Sequence, residues 1–470
     1  MLYGLIAASF FYVFIGLSLA ELSSAIPSSA NVYHWASVTA GTRGRICSFY
    51  AGWWNAIAWI FGTASVTTSG ANAAMAIYAL YHPGFTPERW QIFIAYVGIT
   101  IIDGGLVLFG QKYLAKTANA CGLICLAFAF VTVLVCAIMP SKTGFGYATS
   151  SFVWSDFANL TGWTSNGFVF LMGMLNGAFA IGTPDGVAHM CEEIPNPRVN
   201  VPKGIAAQLI VGFLSTFAFY IAILYGITSL DDVFNTNIVS LPLAAMYQQA
   251  TRSNAATTAL LILFLINMLV CIPGAHCVAG RTLWTLARDD ATPASGWLRH
   301  VSSKWRNPFH AQLVTIACVI VLGCIYIGSA TAFNAFVGSF AILTTMSYLS
   351  AILPHLLTGR KHVRPGPFWM GPITSKIVMS IASAYIIVFN VIYMFPFAMP
   401  VDAATINYAS VMTGGITILL TGWYFWKIRN GYVGPNVVQE ASDDLMVGVV
   451  GLTKAEEEAR RRQVLVEDGL

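Results

Sequence analysis

The chain has 470 residues, of which 57% are hydrophobic and only 9% charged, with a formal net charge of +4 and a mean hydropathy of +0.68. A soluble domain carries about 25% charged residues, so this composition excludes a soluble globular protein and points to a polytopic membrane protein. The small positive charge gives no indication of nucleic-acid binding, and the nine cysteines, mostly inside apolar stretches and without CxxC pairs, read as small buried hydrophobes.

A spanning helix needs about 20 largely apolar residues. On that rule eleven candidates follow in chain order: 2–20, 49–78, 91–109, 119–139, 168–194, 204–228, 255–285, 310–329, 333–357, 374–396 and 404–427. Residues 1–430 therefore form a transmembrane domain and 431–470 a tail. If the loop at 28–48 is cytoplasmic, alternation puts seventeen Lys and Arg inside and only Arg89, Lys142 and Arg252 outside, the tail excluded. That bias orients the chain by the positive-inside rule. The sequon at Asn159 then falls in an outside loop, where a glycan can be accepted, and residue 1 lies outside. In the tail, Thr453 and Glu456 form a capping box and three Glu-to-Arg pairs follow at i,i+4, the pattern of a short solvated helix.

The fifth candidate contradicts its surroundings. The run 168–181 is apolar, and then Gly182, Pro184, Asp185 and Gly186 stand almost together. Fourteen residues make about 21 Å of helix, too short for a hydrocarbon core of about 30 Å. The chain must pass this cluster while still at membrane depth, where non-helical backbone survives only inside protein or beside a water-filled cavity. Secondary transporters build their sites from such discontinuous helices, two half-helix ends pointing at the ligand. The plainer alternative is a Pro kink with Asp185 hydrogen-bonded to a neighbouring helix.

The stretch "GTPDGVAHMCEEIPNPRVNVPKGI" resembles the sixth helix of the amino acid–polyamine–organocation transporters, which ends in E-x-x-N-P-x-x-x-x-P, with Pro202 close to the second proline. "LSLAELSSAIPSSANVYHW" is similar to that family's second helix and following loop, except that Ala30-Asn31 stands where Gly-Gly is usual. "AGRTLWTLARDDATP" resembles the cytoplasmic end of its eighth helix, and "YHPGFTPERWQ", "ANLTGWTSNG" and "YQQATRSNAATT" resemble the fungal branch that carries choline, 4-aminobutyrate and amino acids. The resemblance implies an all-α, LeuT-like fold of two inverted five-helix repeats plus two C-terminal helices. Eleven of those twelve helices are expected here, the broken first one being absent.

The same resemblance assigns roles. Phe179 matches an aromatic lid that can stack on an ammonium group, while Ala180, Gly182 and Thr183 lie at the unwound backbone. Asp185 matches an acidic position beside the site, able to face a substrate ammonium or take a coupling proton; a purely structural acceptor is the alternative. Helix three offers Trp53, Trp54, Asn55 and Trp59 as a polar or aromatic wall, the tryptophans being equally readable as interface anchors, with Trp59 best placed by depth. Asn267, midway along helix eight, faces either the pathway or another helix, and Asp103 is expected in a structural pair. Glu21, Glu192 and Glu193 suggest an inner-gate network with Arg281 and Arg288, or simply solvated charges. His189, one turn after Asp185, either relays protons or is merely hydrogen-bonded.

The expected function is secondary, proton-driven uptake of an amino acid or small amine such as choline or 4-aminobutyrate by alternating access. Its partners are the solute, protons and the lipid bilayer, not nucleic acid. The plasma membrane is the expected location, with vacuolar or other endomembranes as the alternative, and the C-terminus cytosolic. No Walker loop, HExxH or nucleophile constellation appears, so neither an enzyme nor a cofactor is expected. The competing reading is a non-transporting sensor remnant that signals through its tail.

Overall fold

The computed structural model describes residues 1–144, 146–235, 241–403 and 405–435, apart from the side chains of 111, 112, 114–118 and 332. The expected tail helix with its Thr453/Glu456 box lies outside the described residues. Among those residues the backbone is helical, with one isolated bridge between Ser302 and Asn307. The chain runs through α1 (Leu2–Ala25), a short α2 (Val32–Thr39), α3 (Gly44–Tyr81), α4 (Arg89–Thr143), a one-turn α5 (Ser150–Trp154) and α6 (Asn166–Ile181). It continues with α7 (Pro197–Gly226), the short α8 (Leu230–Phe234) and α9 (Pro242–Thr251), and α10 (Asn254–Arg288). A four-residue α11 (Ser295–Leu298), α12 (Phe309–Gly328), α13 (Ala330–Leu357), α14 (Pro372–Ile392) and α15 (Ala409–Arg429) complete it.

Helix meets all eleven expected spans, with three departures. The residues at 110–118, expected as a loop between two helices, are themselves helical, so the two halves of α4 are joined by a helical turn-back instead of an open loop. The two halves still run in opposite directions. Arg89 donates to the Gly328 carbonyl, the carbonyls of Val107 and Leu108 accept from Asn307 at the far end of α12, and Cys136 packs with Ala79 back at the first end. The second departure is the broken helix, regular only to Ile181. The third is the last span, which begins at Ala409 instead of 404: Thr405 bonds back to Asp402, and Asn407 accepts from the Ala409 amide, forming a turn before the helix.

Among the described residues, eight segments are long and apolar enough to cross a membrane by themselves; α3, α6 and α15 are not among them. α3 is the instructive case. Its stretch "TASVTTSGANAA" is too polar for lipid, yet α3 is packed between α10 and α13 in the interior. A helix enclosed by other helices needs small residues for close approach more than it needs hydropathy. Its hydroxyls are satisfied locally: Thr63, Ser65, Thr67 and Thr68 each donate to the carbonyl four residues back. α1 packs against α7, α6 and α14, and α12 lies along α4 and α10.

The helices join at two faces. On one, Glu21 reaches Arg360, Arg288 reaches His34, and Tyr33 meets Tyr432. We term this the basic face. On the opposite face Trp163 donates to the Pro396 carbonyl and the Met399 amide to that of Thr161.

α6 approaches α1 where Gly177 faces backbone. A Cβ there would lie 2.8 Å from both the Gly4 carbonyl oxygen and the Leu5 Cα, whereas one at Gly173 would meet nothing within 4 Å. Gly177→Val is therefore expected to destabilise the fold by about 1–3 kcal/mol. Thermal unfolding of the purified protein in detergent checks this, with Gly173→Val leaving the transition near that of the unmodified chain.

Candidate functional site

α6 stops because of Pro184. Proline has no N–H for the Ala180 carbonyl and disfavours helical backbone at Thr183 before it. Beyond Ile181 the chain does not resume as a second half-helix, as expected, but winds in i→i+3 turns: Gly186 N to Thr183 O, Ala188 N to Asp185 O, Cys191 N to Ala188 O and Ile194 N to Cys191 O. Only one helix end, the C-terminus of α6, therefore points at the break. Regular helix returns at Pro197, a first-turn proline that needs no donor.

Asp185 sits in these turns with no solvent exposure. An uncompensated carboxylate is untenable there, and four donors converge on it. Oδ2 accepts from Asn55 Nδ2 at 2.8 Å, Trp59 Nε1 at 3.2 Å and His189 Nε2 at 3.2 Å; Oδ1 accepts from the Tyr348 hydroxyl at 2.5 Å. Asn55 and Trp59 lie one helical turn apart on α3, and Tyr348 comes from α13. The Asp185 carbonyl accepts from Asn31 Nδ2 at 3.1 Å. Asn31 holds a φ of 51°, a conformation that favours glycine. This is the position where the family usually has its second Gly, and the side-chain bond to the break is what the Asn adds.

His189, also without exposure, faces the Ser29 carbonyl at 3.3 Å and Thr282 Oγ1 at 3.5 Å through Nδ1. Below it the basic face closes through charges. Arg281 pairs with Glu193 and donates to the His189 carbonyl at 3.4 Å, and Ser29 donates to Glu192. Arg288 does not join the glutamates: it lies 3.1 Å from His34 Nε2 and 3.6 Å from Asp289. Glu21 is fully buried and pairs elsewhere too, with Arg360 at 2.9 Å, His355 at 3.4 Å and the Met370 amide at 3.0 Å. The reason is topological. The C-terminal end of α1 lies against the 358–371 loop, where Phe368 N also donates to Ser24.

Other residues singled out in the sequence fall elsewhere. Phe179 is half-buried, its ring 5.4 Å from Phe340, and Ala180 is exposed. Gly182 is buried beside the Tyr12 hydroxyl, and Thr183 is half-buried. Trp54 donates to Thr417 on α15, turned from the break, and Trp53 packs against Phe49. Asn267 is buried with Oδ1 unpartnered, as are both carboxylate oxygens of Asp103, which does not form the expected pair among the described residues. The only hydroxyl near it in sequence, on Thr100, is committed to the Tyr96 carbonyl. The Asn159 amide donates to the Trp163 carbonyl and to Asn166 within its own loop. An apolar groove of about 430 Å³ between α1 and α7, lined by Val13, Leu209 and Phe368, is separate from Asp185.

Sequence reasoning missed Asn31, Tyr348, Ser29, His355 and Arg360. Two of them left a signal: Tyr348 as a phenol inside the polar "TTMSYLS" of an otherwise apolar span, and Asn31 as the departure from the usual Gly-Gly.

Residues 1–418 match a family model described as amino acid permease. The chain is 28% identical over 432 residues to the choline transporter of Saccharomyces cerevisiae, covering 91% of this chain and 75% of that one. It is 26% identical over 449 residues to an amino-acid permease of Arabidopsis thaliana (93% and 86% covered). It is likewise 26% identical over 478 residues to the 7-keto 8-aminopelargonic acid transporter of Saccharomyces cerevisiae (88% and 83%). Among solved structures, a manganese transporter mutant from Eremococcus coleocola superposes with a TM-score of 0.51 at 14% identity, over 91% of this chain and 87% of that one, a likeness of fold alone.

Two outcomes follow from the site. Tyr348→Phe removes one hydrogen bond to a buried carboxylate and is expected to lower stability by about 1.5–3 kcal/mol, read by thermal unfolding in detergent. His34 supplies a pH test. Burial pushes its imidazole below the ordinary 6.5, the bond to Asp289 opposes the shift and Arg288 reinforces it. With the folded value below the unfolded one, the unfolded chain takes up the proton first as pH falls, so the stability His34 contributes is present above about 6.5 and lost below it. Unfolding temperature should therefore drop between about pH 7.5 and 5.5, and drop less in His34→Gln.

Proposed function

The chain belongs to the amino acid permease family and is a multi-pass membrane transporter with a LeuT-like fold, not an enzyme; from that premise we propose that it is a secondary carrier for a small amine-bearing solute, an amino acid, 4-aminobutyrate or choline, driven by protons through alternating access. The observation that carries the proposal is the unwinding of α6 at Gly182–Gly186 around a fully buried Asp185. Unwound backbone at membrane depth serves ligand binding in transporters, and the C-terminal end of α6 carries the negative pole of its dipole, which favours a cation. The 28% identity to a choline transporter adds support for an ammonium-bearing cargo.

The protein's own donors saturate Asp185, so a substrate ammonium would have to displace one of them. Recognition of the cation rests instead on the half-buried Phe179 with Phe340 beside it, since an aromatic face binds ammonium groups, quaternary ones included. Gly182 and Thr183 meet the polar remainder of the solute. Asn55 and Trp59 support the break, and Glu192, Glu193 and Arg281 form the gate on the basic face, which we assign to the cytoplasmic side of the plasma membrane.

Uptake of labelled choline, 4-aminobutyrate and amino acids into proteoliposomes tests the proposal. The unmodified chain is expected to accumulate at least one of them, and Phe179→Ala to lower kcat/KM about 10- to 30-fold, the loss of a desolvated cation–π contact of about 2 kcal/mol, with Phe179→Tyr near normal. Ligand-dependent effects of the tail without flux would replace the carrier with the sensor reading.

A further inference from the structure

We infer that Asp185 and His189 together form a binding site for one proton, and that the arrangement seen here is its loaded state; the inference rests on the proton-driven carrier proposed above and names its coupling site. The argument is one of donors and acceptors. Both ring nitrogens of the buried His189 face acceptors. Nε2 lies 3.2 Å from Asp185 Oδ2. Nδ1 lies 3.3 Å from the Ser29 carbonyl, which has no hydrogen to give, and 3.5 Å from Thr282 Oγ1, whose hydrogen already goes to the Val278 carbonyl at 2.8 Å.

A neutral imidazole has a hydrogen on only one nitrogen. It would satisfy one of these contacts and set lone pair against lone pair at the other. A doubly protonated ring satisfies both. Three further donors, from Asn55, Trp59 and Tyr348, point at the Asp185 oxygens, which is the arrangement of a carboxylate. The extra proton therefore belongs to the ring, and the loaded pair is neutral as a unit, as burial requires.

The surroundings leave little else to balance the carboxylate. α1 brings Tyr12 beside Gly182, α3 brings Asn55 and Trp59, and α13 brings Tyr348. α7 brings Gln208, which donates to the Ile181 carbonyl, and the loop after α1 brings Ser29 and Asn31. α10 brings Thr282 and Arg281, and the Arg281 charge is matched by Glu193. Loss of the proton from His189 thus leaves one net negative charge buried at the break, to be met only by opening to water or by admitting a cation. The basic face brings space and charge close to the pair. A cavity of about 170 Å³ there is lined by Ser29, Glu192, Glu193, Arg281 and Arg306 among others, and Ser29 and Arg281 also touch His189.

The test uses the full chain in proteoliposomes with labelled choline as probe, pH set independently on the two sides, and His189→Gln, whose amide keeps a donor for Asp185 but takes no proton. The unmodified chain is expected to concentrate choline under an inward proton gradient. His189→Gln should exchange choline at equal pH while its gradient-driven accumulation falls about tenfold. Accumulation by His189→Gln equal to that of the unmodified chain overturns the inference and leaves the proton-driven carrier standing. Choline uptake by the unmodified chain that ignores the gradient overturns the proton-driven reading itself. A second measurement needs neither transport nor a variant: nitrogen-15 resonance of ring-labelled histidine in the reconstituted chain. One doubly protonated, slowly exchanging ring at about pH 7.5 supports the site, and neutral rings for every histidine overturn it.

Discussion

The structure is organised by one carboxylate that cannot be left alone. Pro184 ends α6 inside the helix bundle, and the next residue is Asp185, removed from water. Burying a charged group without partners costs more than a typical fold has in hand, so donors must be brought to it. They come from three directions: Asn55 and Trp59 on α3, Tyr348 on α13, and His189 from the same segment one turn on. The break is therefore also a knot. It ties α6 to the central helix α3 and to α13, and through Asn31 to the loop that follows α1.

The same knot links the interior to the basic face. His189 touches Ser29 and Thr282, its carbonyl accepts from Arg281, and Arg281 holds Glu193. The other described ion pairs lie at this end as well, Glu21 with Arg360 and His355, and Asp289 with Arg288 and His34. Pairs of this sort add little stability where solvent reaches them, but Glu21 and Asp289 have fully buried side chains, where loss of a partner is costly. The charged contacts are thus concentrated at the basic face, where the proposed gate lies.

Much of this was legible in the sequence, for identifiable reasons. Apolar runs set the spans, because a lipid-facing helix has no other way to be stable, and the Gly-Pro-Asp-Gly cluster marked the break because nothing else explains such residues there. What escaped was of two kinds. Tertiary partners of buried charges, such as Arg360 for Glu21, depend on which loop lies over which helix end, and no local pattern encodes that. Local conformation beyond the break also escaped: after Pro184 the chain settles into i→i+3 turns, since its side chains are held by α3, α13 and the Ser29 loop and not by helical neighbours. The helical turn-back at 110–118 in α4 and the late start of α15 are smaller misses of that second kind.

The departure at Asn31 shows how these levels meet. A backbone angle that favours glycine is occupied by a residue with a side chain, which costs of order 1–3 kcal/mol when nothing compensates. The compensation is visible: the Asn31 amide donates to the Asp185 carbonyl, and its own carbonyl accepts from the Trp35 amide at the start of α2. α2 in turn packs on α3 and α13, the two helices that supply Asp185 with donors. Strain in the loop after α1 is thereby offset in part by a contact that exists only while the break keeps this shape, so the loop on the basic face and the unwound segment in the interior favour the same conformation.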